Sequence, residues 1–267
     1  MLPAIRFDTL DDETIGKECV DLRALFTSKF IPPDMYDDTR LGRFGRYRDL
    51  SPAYPGKVVA QIGGSVAVGL ERVDILHIHD PDAHFEEALK GAYPALDKLR
   101  SEGTIQAVSA GMNQWEMLAR FAREGDFDCF LLAGRYSLLD QSSLDELLPL
   151  CEKKNIGIMA GGTFNSGILA KGSAPGAKYN YGDAPPEILE KAKGLEEVAA
   201  RHQVSIKAAA SQFALAHPAV TTIIPGTRQP DRVKENYDIL QEEIPADFWA
   251  EIKAENLVHP DSPVPTR

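Results

Sequence analysis

From residue 71 onward, apolar and polar positions alternate regularly along the chain. Residues 73–78 form a short apolar run broken only by Asp74 and His77, and the run stops at His79-Asp80-Pro81-Asp82. A β-branched, leucine-containing run of this length predicts a buried strand, and the Asp-Pro-Asp after it predicts a turn. Four more strands are predicted over 105–110, 128–133, 156–160 and 220–224. Helices are predicted over about 84–101, 114–124, 143–154, 186–202, 206–216, 230–240 and 246–255. Short strands apolar on both faces, separated by amphipathic helices, predict a wholly parallel sheet with helices outside.

The first 70 residues read less regularly. Residues 5–7 and 22–27 are strand candidates, and 11–20 reads as a brief helix. Residues 30–56 hold Pro32, Pro33, Pro52 and Pro55 among many Asp, Arg and Tyr, the composition of a long loop. Residues 57–70 have helix-like spacing weakened by Gly63, Gly64 and Gly69. About seven strands in all fit a (β/α)8 barrel missing its first unit, with a doubly wound sheet as the alternative.

Composition narrows the function. The chain has 267 residues, 40 acidic against 29 basic, and a formal net charge of −11. A phosphate-backbone binder is expected to be basic, so nucleic acid and anionic membrane surfaces are not expected partners. Cys19, Cys129 and Cys151 are isolated, which suits a reducing, cytoplasmic setting. No apolar run reaches transmembrane length, and the first residues lack the basic and long apolar regions of a signal peptide. No GxGxxG after a strand, GxxxxGK[ST], HExxH or GxSxG is present. His77 and His79 alternate and so face the same side of their strand. The other histidines form no ligand-spaced pair, so no metal is expected.

Three stretches carry a resemblance. They are Asp74-Ile75-Leu76-His77-Ile78-His79, then Ala110-Gly111-Met112-Asn113-Gln114-Trp115, and the run from Ile224 through Pro225-Gly226-Thr227-Arg228 to Glu235-Asn236. Their order, spacing and strand ends resemble the aldo-keto reductase superfamily. The Gly-Met-Asn-Gln-Trp-Glu-Met wording, the run from Ala133 to Gln141 and Gly161-Gly162-Thr163-Phe164-Asn165-Ser166-Gly167 look like one branch of it. That branch includes D-threo-aldose (L-fucose) dehydrogenases and pyridoxal 4-dehydrogenase. The match is strong over 66–265 and weak over 1–65, and one barrel domain spanning 1–267 is expected.

The resemblance implies a (β/α)8 TIM barrel that binds NAD or NADP at its C-terminal mouth and transfers hydride to or from a sugar or aldehyde carbonyl. It implies that Asn113 holds the nicotinamide carboxamide, where the family's usual neighbouring serine is Met112. Asn165, Ser166 and Gly167 would wrap the pyrophosphate. Thr227 and Arg232 would hold the adenosine ribose or its 2′-phosphate, and Glu235 and Asn236 the adenine. A helix starting near Pro230 would offer its free N–H groups to a phosphate. NADPH-preferring members commonly carry a lysine where this chain has Gly226. Arg228 is the candidate to compensate, and NAD and NADP both stay open. Trp115 is read equally as an aromatic wall of the site or as core.

Family catalysis uses a tyrosine, a lysine, an aspartate and a histidine. His79 matches the histidine, Lys29 is the candidate lysine and Asp8 the candidate aspartate. The tyrosine has no counterpart, because Asp8-Thr9-Leu10 runs straight into Asp11-Asp12-Glu13 where the family has a Tyr-Gly loop. Tyr36, Tyr47 and Tyr54 lie in the long loop, and nothing in the sequence brings them to the site. The first strand and most of the first helix also have no counterpart. The expected function is therefore an NAD(P)-dependent oxidoreductase. The alternative is a catalytically impaired dinucleotide-binding pseudoenzyme or truncated gene product. A Schiff-base barrel enzyme using Lys29 is a remote third.

Overall fold

The computed structural model describes residues 25–27, 58–61, 74–226 and 231–266. Their strands are β1 (Leu25–Thr27), β2 (Val58–Gln61), β3 (Ile75–His79), β4 (Ala107–Met112), β5 (Cys129–Ala133) and β6 (Gly157–Gly161). A two-stranded hairpin follows, β7 (Lys178–Tyr179) and β8 (Gly182–Asp183), and then β9 (Val220–Ile224). The helices are α1 (Tyr93–Ser101), α2 (Trp115–Glu124), α3 (Leu147–Lys154), α4 (Ile168–Lys171), α5 (Pro186–Arg201), α6 (Ile206–Ala216), α7 (Asp231–Asp238) and α8 (Ala246–Ala254). A 3₁₀ turn at Asp82–His84 and a helical run over 85–92, partly in the wider π form, lead into α1.

The expected alternation is present from residue 74 onward. The earlier part differs in two ways. Within the stretch of helix-like spacing, Val58–Gln61 is a strand. Its Val-Val-Ala-Gln wording carries the strand preference, and its pairing along β3 outweighs the spacing of the residues around it. The sheet is also not wholly parallel. β1 pairs antiparallel with β2, Leu25 opposite Ala60 and Thr27 opposite Val58, whereas β2 and β3 run parallel. An antiparallel strand on an otherwise parallel sheet is a common arrangement.

The described residues pack as two compact units, one of those up to 131 together with 149–158, the other of those over 132–148 and from 159 onward. In the first, the strand order is β1-β2-β3-β4 followed by the first residues of β5 and β6. Its core is a row of aromatic rings, Phe85 to Phe121 at 4.3 Å, Phe121 to Phe127 at 5.3 Å and Phe127 to Phe130 at 5.2 Å. In the second, the last residues of β5 and β6 are followed by β9. Tyr136 stacks on Phe213 there at 5.4 Å, and Phe248 meets Trp249 edge-on at 4.9 Å. Among the described residues, no helix is long and apolar enough to cross a membrane.

The first unit also buries a charge cluster. Arg100 on α1 is 8% exposed and donates to Asp128 Oδ2 at 2.6 Å and Asp97 Oδ1 at 2.5 Å. The same Asp128 oxygen accepts from the Val108 amide of β4 at 2.9 Å. One carboxylate therefore ties a helix to the start of two strands. Removing the cation from such a pair leaves a buried charge uncompensated. Arg100→Met is predicted to destabilise the chain by about 3 kcal/mol, measured by urea unfolding. A change within about 0.5 kcal/mol, the size of an ordinary surface substitution, would contradict this.

Candidate active site

In the first unit, β3 and β4 pair in register, His77 opposite Ser109 and His79 opposite Gly111. Asp80 extends the pairing by donating its amide to Gly111 O at 3.0 Å. The chain then turns through Asp80 in the left-handed region, φ 42°. His79 thus sits at the C-terminal end of a parallel strand, where α/β proteins gather their reactive groups. Its side chain is 30% exposed, and Nε2 lies 3.4 Å from Asp80 Oδ2. The opposite ring nitrogen, Nδ1, is buried and has no hydrogen-bond partner among the described residues. The ring is held by its strand with one nitrogen facing outward, the disposition required to orient a substrate oxygen.

Asn113 follows β4 and is half-buried, two residues beyond the Gly111 that faces His79. The residue at the N-cap of α2 is Gln114, one position after Asn113. Gln114 Nε2 donates to Asp82 Oδ2 at 3.1 Å, fastening the turn after β3 to the start of α2. Trp115 is half-buried at the first position of α2.

In the second unit, β6 ends at Gly161 and the chain enters a run of unusual backbone. Gly162, Asn165, Ser166 and Gly167 all have positive φ, at 64°, 44°, 57° and 99°. Left-handed non-glycine residues cost roughly 1–2 kcal/mol each and persist where surrounding structure holds them. Gly134 at the end of β5 is also left-handed, and a Cβ on Gly162 would come within 3.2 Å of its amide nitrogen. Asn165 is 3% exposed; its Nδ2 donates to Gly134 O at 3.4 Å, and its Oδ1 has no partner among the described residues. The β7–β8 hairpin reaches this loop, since Tyr181 donates its amide to Ser166 Oγ at 3.1 Å. Closely approaching glycines and an unengaged buried amide oxygen fit a loop that wraps a polar ligand.

Arg232, Glu235 and Asn236 lie together on α7, the first two exposed and Asn236 buried. Lys207 of α6 donates to Glu235 Oε1 at 2.5 Å. That bond, then the charge of Lys207 and that of Arg232, hold the Glu235 carboxyl below its usual range. Nothing in the sequence drew attention to Lys207 or to Tyr181. Asp8, Lys29, Thr227 and Arg228 lie outside the described residues, as do Tyr36, Tyr47 and Tyr54. The described part of β1 runs against β3, so Thr27 ends next to the start of β2, away from the strand end that carries His79. The resemblance implies the opposite direction for the strand that leads to Lys29. Two described tyrosines have phenols shifted upward. Burial raises that of Tyr136, and burial with the nearby Asp140 pushes that of Tyr179 up to about 12. Both shifts oppose general-acid work near neutral pH.

The chain is similar to known proteins in the same terms. The solved aldo-keto reductase from Bacillus halodurans in its holo form superposes with a TM-score of 0.59 at 19% identity, over 74% of this chain and 65% of that one. This is the (β/α)8 barrel class. Residues 65–256 match the model of the aldo/keto reductase family, and the chain belongs to that family. It is 37% identical over 201 residues to pyridoxal 4-dehydrogenase of Microbacterium luteolum, and 37% identical over 193 residues to D-threo-aldose 1-dehydrogenase of a Pseudomonas species. Each alignment covers 72% of this chain and 59% of the relative, so the chain spans less than two thirds of their length.

His77 sits beside His79 on the strand but is almost wholly buried, with neither ring nitrogen partnered among the described residues. Burial first, and the charge of His79 second, push its pKa down from 6.5 to about 4. The unfolded chain therefore takes up a proton that folded His77 refuses. Stability is fully present above about pH 6.5 and is lost as pH falls toward about 4. His77→Leu is predicted to shrink the stability lost between about pH 7.5 and about pH 4.5 by about 2 kcal/mol. Denaturant unfolding at the two pH values checks it, and equal losses in both proteins would refute it.

Proposed function

We propose that the chain is an NAD(P)-dependent oxidoreductase that interconverts a sugar or aldehyde carbonyl, or the matching hemiacetal, with its oxidised or reduced form. The observation that carries the reading is His79, exposed on one side at the C-terminal end of β3, with Asn113 following the neighbouring strand. The similarity to two dehydrogenases acting on a pyridoxal and on an aldose supports the substrate class. Isolated cysteines, two of them buried and free, support a cytoplasmic setting.

In this reading Asn113 holds the carboxamide end of the dinucleotide, and Asn165, Ser166 and Gly167 hold its pyrophosphate. Thr227, Arg228, Arg232, Glu235 and Asn236 hold the adenosine end. Bound there, the dinucleotide supplies the hydride acceptor or donor. His79 Nε2 hydrogen-bonds the substrate oxygen and so aims the adjoining carbon; its strand pairing keeps the ring from turning away. Asp8 and Lys29 remain the proposed remainder of the proton-handling group.

A second reading is a dinucleotide-binding protein with impaired turnover. It rests on the run Asp8-Thr9-Leu10-Asp11, which has no tyrosine, and on phenols at Tyr136 and Tyr179 that are shifted away from neutrality. The two readings separate experimentally. The first predicts that purified chain reduces NAD⁺ or NADP⁺ with L-fucose, another aldose or pyridoxal, and that His79→Ala lowers kcat/KM by about a hundredfold or more. Dinucleotide binding with no turnover above the His79→Ala background would favour the second reading. The absence of any change in NAD(P)H fluorescence at high protein concentration would remove both.

A further inference from the structure

Lys207 joins two stretches that the sequence sets far apart. It is the second residue of α6, whose start is fixed by the Ser205 hydroxyl accepting from Ala208 N at 3.3 Å. Its side chain is only 14% exposed, which is rare for a lysine. Nζ donates to Glu235 Oε1 at 2.5 Å and lies 5.6 Å from the centre of the Phe164 ring. Phe164 immediately precedes Asn165 in the left-handed loop, and Glu235 lies on α7. The lysine therefore touches both candidate ligand-holding segments of the second unit.

Withdrawing an ammonium group from water costs solvation energy, and pairing it with a surface carboxylate returns little stability. What the bond does supply is direction. Glu235 stays 51% exposed, and among the described residues only its Oε1 is engaged. Lys207 and Arg232 keep the group ionised. An ionised carboxylate accepts hydrogen bonds and donates none. The remaining oxygen is thus a fixed acceptor at the margin of the site, suited to an amino group and unsuited to a carbonyl.

We propose that Lys207 is a positioning residue of this site, holding Glu235 Oε1 so that Oε2 is presented to the exocyclic amine of a bound adenine. The inference rests on the dinucleotide reading above. It makes the base-binding end selective. Hypoxanthine carries a carbonyl oxygen where adenine carries its amine, which sets lone pair against lone pair at Glu235.

Fluorescence titration of the full chain with NADH, NADPH and their hypoxanthine analogues tests it. The unmodified chain is expected to bind the adenine form roughly tenfold more tightly than the hypoxanthine form. Lys207→Met is expected to lose most of that preference, chiefly by weakening the adenine form, while Lys207→Arg retains it. Glu235→Gln, whose amide both donates and accepts, is expected to bring the ratio close to one and serves as the test if Lys207→Met does not fold. A merely structural lysine would weaken both forms alike. An unchanged preference in folded Lys207→Met, or equal weakening of both forms, overturns the role of Lys207 and leaves dinucleotide binding standing. Failure of the unmodified chain to bind any of the four removes the dinucleotide reading and this inference together.

Discussion

The backbone pairing of β3 with β4 is the constraint from which the first unit's site follows. It sets His79 opposite Gly111 and carries the chain one hydrogen bond further, to Asp80, before releasing it into a turn. Side chains alternate along a strand, so the pairing that turns His79 toward the strand end also turns His77 to the same face. The ladder gives the two histidines different solvent exposure. His79, at the last position, keeps one nitrogen accessible, whereas His77, flanked in register by Gln61 and Ser109, is sealed. Burial leaves His77 a neutral imidazole, while His79 retains the exposure that chemistry requires. At the opposite end of the same strands, the Asp128 carboxylate bonds both Arg100 and the amide of Val108, fixing the start of the ladder whose finish carries the site.

In the second unit the equivalent constraint is steric. Gly134 and Gly162 approach closely enough that a Cβ on the latter would crowd the former's amide. The loop from Gly162 to Gly167 then turns with most of its residues left-handed. The Tyr181 amide and the Gly134 carbonyl hold it from two sides, through Ser166 and Asn165. This is strain retained by packing, and the loop's unengaged polar atom, Asn165 Oδ1, is buried with it. An acceptor left without a partner in a rigid loop costs stability, a cost that the proposed role of the loop in holding a ligand would account for.

Much of the first arrangement was legible in the sequence because its signal is local. An apolar run that stops at His79-Asp80-Pro81 announces both the strand and the residue that closes it, and the helices after residue 80 follow from their own periodicity. The unread parts depend on partners distant in the chain. The direction of β1 is decided by pairing with Val58–Gln61, which local spacing does not encode. Lys207 and Glu235 are 28 residues apart and meet only when α6 and α7 fold. The β7–β8 hairpin turns through Asn180 and Tyr181, both left-handed, with its glycine displaced to position 182. The usual Asn-Gly signal is interrupted by Tyr181, so the sequence does not announce this hairpin.

Cofactor binding and proton transfer, as proposed, make unequal demands on the residues before position 74. Holding a dinucleotide asks for acceptors, donors and close backbone, and in the proposed reading Asn165, Ser166, Arg232, Glu235 and Lys207 supply these. Moving a proton asks for a group whose pKa is drawn toward neutrality by a nearby charge. The described phenols at Tyr136 and Tyr179 move the other way, because burial opposes their ionisation. Orientation by His79, as proposed, would lower a barrier without itself providing that proton. In the proposed reading, turnover needs a proton-handling group from before position 74 in addition to His79, whereas affinity for the cofactor rests on residues after that position. In that reading binding can persist without turnover, whereas turnover cannot persist without binding.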